Sequence, residues 1–271
     1  MEKYNRCLNG LLSINIELTS RCNKACWMCG RRRVEKEMPE RAIAYGDMDF
    51  ELLKEIEKQI PYGIVVQFHK DGEALLYPRF GDAARLFEGR IRNIVTNGKL
   101  LVEKADEIID NLETISVSIV ENDPEAEEQL EIIKKFLEIK GNRNPATSLR
   151  FVGDIDESKY ASLGLLIVRR QLHSPFGSFA YKKKPPTIPE IGICMDFLSH
   201  PTISREGDFS ICVRFDPEKL GVIGNVKEQT IYQLWNSEIR KQWLQYHIEG
   251  RRDKIPLCSK CEYWGVPTSG L

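Results

Sequence analysis

Residues 12–18 (LSINIEL) alternate apolar and polar side chains, the period-two signature of a strand with one covered face. Residues 48–60 (MDFELLKEIEKQI) place apolar side chains at helical spacing, with Asp47 and Asp49 available to cap the first turn. Residues 63–69 (GIVVQFH) predict a second strand, running into KDGEALLYP. The alternation continues with a helix over 79–89, a strand over 91–98, a helix over 100–112 and a strand over 114–120. An amphipathic helix over 124–141 and strands over 148–154 and 163–172 complete it. Six such alternations predict an α/β chain whose parallel sheet curves into a partial barrel with helices outside. Functional loops then belong at the C-terminal ends of the strands. The first cysteine group, KDGE, TNG and END all fall there.

The alternation stops in a Pro- and Gly-marked connector over 173–190. Beyond it the pattern predicts a hairpin over 201–213, turning at Glu206, Gly207 and Asp208, and a helix over 230–250. A boundary at 184/185 divides a core of residues 10–184 from a smaller α+β unit of residues 185–271.

Composition narrows the classes of function. The 271 residues are 42% hydrophobic and 29% charged, an ordinary globular balance. With 39 basic and 40 acidic side chains, no global field favours nucleic acid or an anionic membrane. Arg31–Arg33 and Lys182–Lys184 are local basic runs, read first as solvated surface. The N-terminal stretch lacks the apolar segment of a signal peptide, and no run approaches the ~20 apolar residues of a membrane helix. A cytoplasmic location is expected. There, eight cysteines point to metal or catalysis before disulfides.

Cys22, Cys26 and Cys29 form one group inside ELTSRCNKACWMCGRRR, and Cys194, Cys212, Cys258 and Cys261 form another. Cys7 stands alone and reads as a plain thiol. Three thiolates without a nearby fourth ligand suit a [4Fe–4S] cluster with one open iron, whereas structural zinc would need a fourth protein ligand such as His69 from another loop. Four thiolates in the second group suit either a zinc ribbon or an iron–sulfur cluster.

Cys-x3-Cys-x2-Cys on the loop after a first strand, followed by alternating strands and helices, closely resembles the radical S-adenosylmethionine (SAM) superfamily. The resemblance implies a partial (β/α)6 TIM-like barrel. It also implies a cluster on Cys22, Cys26 and Cys29 whose free iron chelates the amino and carboxylate groups of SAM. A 5′-deoxyadenosyl radical would then take a hydrogen atom from substrate. DGEALLYP (71–78) is similar to the family's Gly-Gly-Glu motif, with Asp71 in place of the first glycine. By that likeness Glu73 accepts from the SAM ammonium, helped by backbone near Gly72, and Met28 faces the adenine. Ser116 or Ser118 contacts the ribose, and Asn97 touches SAM or substrate. The C-terminal words GICMDF, TISREGDFSIC, LGVIGNV, TIYQLWNS and IPLCSKC resemble the family's SPASM/twitch extension, here in the abbreviated twitch form. That implies one auxiliary [4Fe–4S] cluster fully ligated by Cys194, Cys212, Cys258 and Cys261, with an electronic role, and a flavodoxin- or ferredoxin-type electron donor.

A single auxiliary cluster is similar to family members that oxidise an alcohol carbon of a small sugar- or cyclitol-like substrate. His69, Lys70 and Arg150, with Glu17 and Gln67, are expected to project from strand ends into the substrate pocket. Other functions compatible with the sequence are peptide modification, carbohydrate epimerisation with Cys7 as hydrogen-atom donor, and electron transfer without catalysis. The short stretch before the first strand counts against a leader-binding peptide modifier. The open three-cysteine site and the Glu73 loop count against a ferredoxin-like carrier, which needs neither.

Overall fold

The computed structural model describes residues 8, 10–170, 172, 193–259 and 261. Cys7, the connector over 173–190 and the 184/185 boundary lie outside them. The chain runs β1 (Ser13–Ile16), α1 (Gly30–Glu37), α2 (Phe50–Glu57), β2 (Val65–Phe68), α3 (Phe80–Leu86), β3 (Ile91–Thr96) and α4 (Ala105–Ile108). It continues through β4 (Thr114–Val120), α5 (Ala126–Lys140), β5 (Ala146–Val152) and β6 (Leu166–Arg170). After the connector come α6 (Met195–Ser199), β7 (Thr202–Ile203), β8 (Asp208–Ser210), β9 (Val222–Asn225), α7 (Ile231–Trp235), α8 (Glu238–Ile248) and α9 (Pro256–Ser259).

Strands β1 to β6 pair in chain order and all in parallel, in registers such as Ile14 opposite Val66 and Ser118 opposite Arg150. β7 adds to the other side of β1 in parallel, and β8 and β9 follow antiparallel. The C-terminal strands therefore extend the core sheet, in the order β6-β5-β4-β3-β2-β1-β7-β8-β9. Among the described residues β6 and β9 stay unjoined as the two edges, so the six parallel strands make a partial barrel. No helix of the described residues is long and apolar enough to cross a membrane.

The two faces of the parallel sheet differ sharply. Ile14, Ile16, Val66, Phe68, Ile94, Ile115, Val117, Ile119, Leu149 and Phe151 are at most 1% exposed. They form one cluster with Leu53 and Ile56 of α2, Phe80 and Ala83 of α3, Ile108 of α4, and Ile133 and Phe136 of α5. Side chains alternate across a strand, so the intervening residues face inward. Most are polar and half-buried (Gln67, Asn93, Ser116, Ser118, Ser148 and Arg150), with Val65, Val95 and Val168 half-buried among them. A parallel sheet sandwiched on both faces reads as continuously apolar. This one is mostly apolar where helices cover it and mostly polar on the other face.

Local chemistry explains several departures from the sequence pattern. Asp49 caps α2 by accepting from the N–H groups of Glu51 and Leu52 at 2.7 and 3.1 Å. Asp47 instead accepts from the Thr19 hydroxyl at 2.7 Å, tying the β1 loop. The helix expected over 100–112 is mostly turns before the short α4. It stops where Asp110 adopts φ 62° and gives its N–H to the Asn144 carbonyl at 3.1 Å. The helix expected over 230–250 is two helices. The Asn236 side chain folds back onto the Tyr232 carbonyl at 2.9 Å, and Ser237 restarts the chain as the N-cap of α8. The pattern predicted neither the polar eight-residue α1 nor β9.

Phe68 centres the apolar layer, with edge-on contacts to Phe80 at 6.2 Å and Phe87 at 5.6 Å. Phe68→Ala leaves a ring-sized cavity under α3 and is expected to cost about 3–5 kcal/mol. Urea unfolding followed by circular dichroism checks this; a loss under about 1 kcal/mol would mean that the layer does not anchor the sheet.

Candidate active site and cluster sites

The loops after β1 and β2 touch at their backbones. A Cβ on Gly72 would lie 2.0 Å from the Thr19 carbonyl oxygen and 2.8 Å from that of Arg21. No side chain fits there, so this position of the motif admits only glycine. The adjacent Glu73 N–H donates to the Arg21 carbonyl at 2.7 Å. The Glu73 side chain is 3% exposed and reaches the third strand end. Its carboxylate accepts from the Thr96 hydroxyl and the Asn97 N–H, each at 2.8 Å, and from the Leu75 N–H at 3.2 Å. Burial pushes the Glu73 carboxyl above its ordinary range, against the pull of those three donors. Glu73 is thus a clamp across the ends of β2 and β3, and its oxygens are largely engaged by the protein's own donors. A carboxylate offers about four acceptor sites, so these three donors leave room for the ammonium contact expected from the motif.

Asn97 carries the clamp to the first cysteine group. Its Nδ2 donates to Asn23 Oδ1 at 2.8 Å and lies 3.9 Å from Cys22 Sγ. Cys26 and Cys29 share a turn closed by the Cys29 N–H and the Cys26 carbonyl at 3.0 Å. Further side chains, of which the pattern did not single out Lys24 and Trp27, fasten the rest of the loop. Lys24, 4% exposed at its side chain, forms an ion pair with the equally buried Asp123 beyond β4. Trp27 Nε1 donates to the Glu121 carbonyl at 2.6 Å, and Met28 packs against Val120, Val152 and Leu172. Arg31, 3% exposed, donates to the carbonyls of Ser20 and of Asp71, the latter at 2.9 Å. Arg32 donates to the carbonyls of Cys22 and Lys24 at 3.2 and 3.3 Å. The arginine run is therefore structural at its first two positions and not a solvated patch. Arg33 pairs with Glu37 at 2.5 Å on the exposed side of α1.

The three thiols lie within electrostatic reach of one another. Burial pushes Cys22 up and Cys26 up to about 11, opposed at Cys22 by the Lys24 N–H and at Cys26 by the Lys24 cation. Buried sulfurs that resist ionisation alone, beside N–H donors and a fixed cation, fit a site where a metal supplies the missing stabilisation of thiolate.

On the inner face the structure brings His69, Lys70 and Arg150 together. Enclosure, then the Arg150 and Lys70 charges, hold the His69 imidazole down to about 3, and His69 Nδ1 is buried without a hydrogen-bond partner. Lys70 is paired with Asp71 and lies near Glu17 and Asp216, with its ammonium held above the usual range despite burial. Glu17, 5% exposed, accepts from the Arg205 N–H of the β7–β8 hairpin at 3.1 Å, and burial pushes its carboxyl up. The two serines differ in place. Ser116 is hydrogen-bonded to Ser148 at 2.9 Å across β4 and β5, while Ser118 lies two residues nearer the functional end.

The second cysteine group is assembled by packing. Cys194 precedes α6, Cys212 follows β8, and Cys258 and Cys261 share one turn closed at 3.1 Å. Cys194, Cys212 and Cys258 pack on a separate cluster of Phe197, Ile211, Trp243, Ile255 and Leu257. Cys258 senses both Cys261 and Cys194, and Cys212 senses Cys194, so the four thiols form one electrostatic group. Burial pushes Cys258 up to about 12 and Cys212 well above its ordinary value. Among the described residues no three Cys, His, Asp or Glu side chains converge on one metal ion. A bound cluster would complete either arrangement by drawing its thiolates in.

The model of the SPASM family, an iron–sulfur cluster-binding domain, matches residues 194–262 and so spans all four of these cysteines. The S-adenosyl-L-methionine-dependent 2-deoxy-scyllo-inosamine dehydrogenase of Niallia circulans is 24% identical over 266 residues, 94% of each chain. The tungsten-containing aldehyde ferredoxin oxidoreductase cofactor-modifying protein of Pyrococcus furiosus is 34% identical over 110 residues. That stretch is 39% of this chain and only 28% of the relative, well short of its length. The crystal structure of BtrN in complex with AdoMet and 2-DOIA superposes with a TM-score of 0.61 at 20% identity, covering 96% of each chain. The chain shares the fold of this AdoMet-bound structure, and its residues 194–262 match the SPASM iron–sulfur cluster-binding domain.

Proposed function

We propose that this chain is a radical SAM oxidoreductase that oxidises a hydroxyl-bearing carbon of a small polyhydroxylated substrate held against the inner face of the sheet. The observation that carries this reading is the mainly polar lining of that face by Gln67, His69, Asn93, Ser116, Ser118 and Arg150, half-buried opposite a largely apolar outer face. Hydroxyl groups are recognised by paired donors and acceptors, and this surface offers both. A peptide would more naturally use apolar pockets or an open strand edge. The dehydrogenase relative and the superposed complex with 2-DOIA support the same class.

Cys22, Cys26 and Cys29 would hold a [4Fe–4S] cluster, and Cys194, Cys212, Cys258 and Cys261 an auxiliary one. With SAM bound, the reduced first cluster would supply the electron for its cleavage to methionine and a 5′-deoxyadenosyl radical that takes the C–H hydrogen atom. The substrate radical would lose its hydroxyl proton to a base and its remaining electron to the auxiliary cluster. Backbone around Gly72 would help to hold SAM, and Glu73, fixed by Thr96 and Asn97, would accept from its ammonium. Asn97 orients Cys22, Met28 covers the adenine side, and Ser118 is better placed than Ser116 for the ribose. His69 stays neutral, so its Nδ1 can accept a hydrogen bond from the reacting hydroxyl. Arg150, always charged, can only donate, and Lys70, paired with Asp71, orients its neighbours. Core and auxiliary unit meet near residue 185, a flavodoxin- or ferredoxin-type protein delivers the electron, and the enzyme works in the reducing cytoplasm.

Anaerobically reconstituted protein should contain about eight irons. It should release 5′-deoxyadenosine when reduced with SAM. Full loading without that product would sink the enzyme reading, and four irons with one zinc would remove the auxiliary cluster. The triple variant Cys22→Ala, Cys26→Ala, Cys29→Ala should keep about four irons and lose SAM cleavage.

Glu73→Gln keeps the size of the clamp but weakens its charge-assisted bonds to Thr96 and Asn97, worth about 1.5–3 kcal/mol each at most. SAM binding by equilibrium dialysis should weaken at least tenfold. Unchanged binding would show that the clamp does not govern the SAM site.

The His69 result carries a sign. Its folded value of about 3 lies below the ordinary 6.5, so between those values the unfolded chain binds a proton that the folded chain does not. Stability therefore falls as pH drops below about 6.5, by up to about 1.4 kcal/mol per unit. His69→Gln should flatten that part of the urea-midpoint-versus-pH curve. An equal slope in both proteins would place the proton elsewhere.

A further inference from the structure

His247 is one of four histidines in the chain and has no place in the ligand set derived above. It lies on α8, 1% exposed, on the same helical face as the buried Arg240 and Trp243. Its ring stacks on Phe197 with centroids 4.6 Å apart and a tilt of 37°. Its Nε2 lies 3.8 Å from Cys258 Sγ, within the reach of a hydrogen bond to sulfur. Trp243 and Phe197, on either side, belong to the apolar cluster against which three of the cysteines pack. An aromatic hydrocarbon would fill this position without the cost of burying imidazole nitrogens. The buried nitrogen therefore needs a polar reason, and the sulfur is what it faces.

The loaded state decides the direction of the bond. A free Cys258 thiol could donate to the imidazole, but a metal-bound thiolate has no proton and can only accept. The neutral ring must then carry its proton on Nε2. Hydrogen bonds to ligating sulfur withdraw charge from a cluster, stabilise its reduced form and raise its reduction potential. The direct contact is to one sulfur of the four. The Arg214 backbone N–H serves Cys212 in the same sense, so the site offers two distinct donors from two elements.

We infer that His247 is a positioning residue of the auxiliary site, donating an Nε2–H···Sγ hydrogen bond to Cys258 that sets the auxiliary cluster at a potential suited to accept an electron. This rests on the reading that Cys194, Cys212, Cys258 and Cys261 hold an iron–sulfur cluster. Zinc, which has no redox couple, would offer no potential for this donor to set.

The test uses full-length protein carrying Cys22→Ala, Cys26→Ala and Cys29→Ala, so that only the auxiliary cluster reports, labelled with 15N-histidine and reconstituted anaerobically. Pulsed electron paramagnetic resonance of the reduced cluster should show a weak histidine nitrogen coupling. Adding His247→Phe, which keeps the stacking on Phe197, should abolish that coupling and shift the midpoint potential to more negative values. His247→Gln, which restores an N–H, should recover most of the shift. No nitrogen coupling in the parent protein overturns the inference whether or not the variants assemble. So does an unchanged potential in His247→Phe at full iron content, or a coupling strong enough for a direct iron–nitrogen bond. No iron–sulfur signal in the parent would instead remove the auxiliary-cluster reading, and the inference with it.

Discussion

The site depends on a backbone contact between two loops. The chain after β2 passes so close to the chain after β1 that a Cβ on Gly72 would stand 2.0 Å from the Thr19 carbonyl oxygen. Because that space is closed, the Glu73 N–H meets the Arg21 carbonyl and the Glu73 side chain is directed inward onto Thr96 and Asn97. Three strand ends are thereby held in fixed relation, and Asn97 delivers the arrangement to Cys22. A buried carboxylate with three donors is costly to disturb, since each lost partner leaves a charged group unsatisfied in a medium that solvates it poorly.

The two cysteine groups are built by opposite means. The first sits on a long loop held by polar contacts: the buried Lys24–Asp123 pair, Arg31 on two carbonyls, and Trp27 on the Glu121 carbonyl. Those contacts fix the loop's position, and Met28 adds a small apolar contact with Val120, Val152 and Leu172. The second is packed around a small hydrophobic cluster contributed by α6, α8, α9 and the strand pair beside them. A site that must admit a small molecule is organised by hydrogen bonds at its rear. One whose four thiolates all serve the metal can be enclosed in apolar packing, and enclosure is also what makes a single added N–H donor effective there.

The inner face follows from the same division. Helices cover only the outside, so apolar residues are confined to alternate positions and the inside is free to be polar. With Arg150 and Lys70 beside it, His69 stays neutral at physiological pH and offers an acceptor instead of a third positive charge. Glu17 joins this group to the C-terminal hairpin through the Arg205 N–H, so the C-terminal strands help to shape the inner face as well as to hold their own cysteines.

The sequence by itself determined the six-fold alternation of strand and helix, the placing of the cysteines, KDGE and TNG at strand ends, and the division of seven thiols into an open group and a closed one. Those features are local: a period of two or 3.6, a spacing of two or three residues, a glycine where the backbone turns. Only the tertiary structure decided that Arg31, buried, and Arg32, half-buried, fasten the loop and that Glu73 clamps protein donors. It also decided that His247, 11 residues before Cys258, faces its sulfur. The split of the expected 230–250 helix belongs with these, because a serine cap overrode a continuous apolar pattern. In each case the deciding partner is a carbonyl, a sulfur or a carboxylate supplied by another segment. A charged side chain's sequence neighbours do not record whether such a partner awaits it in the folded chain.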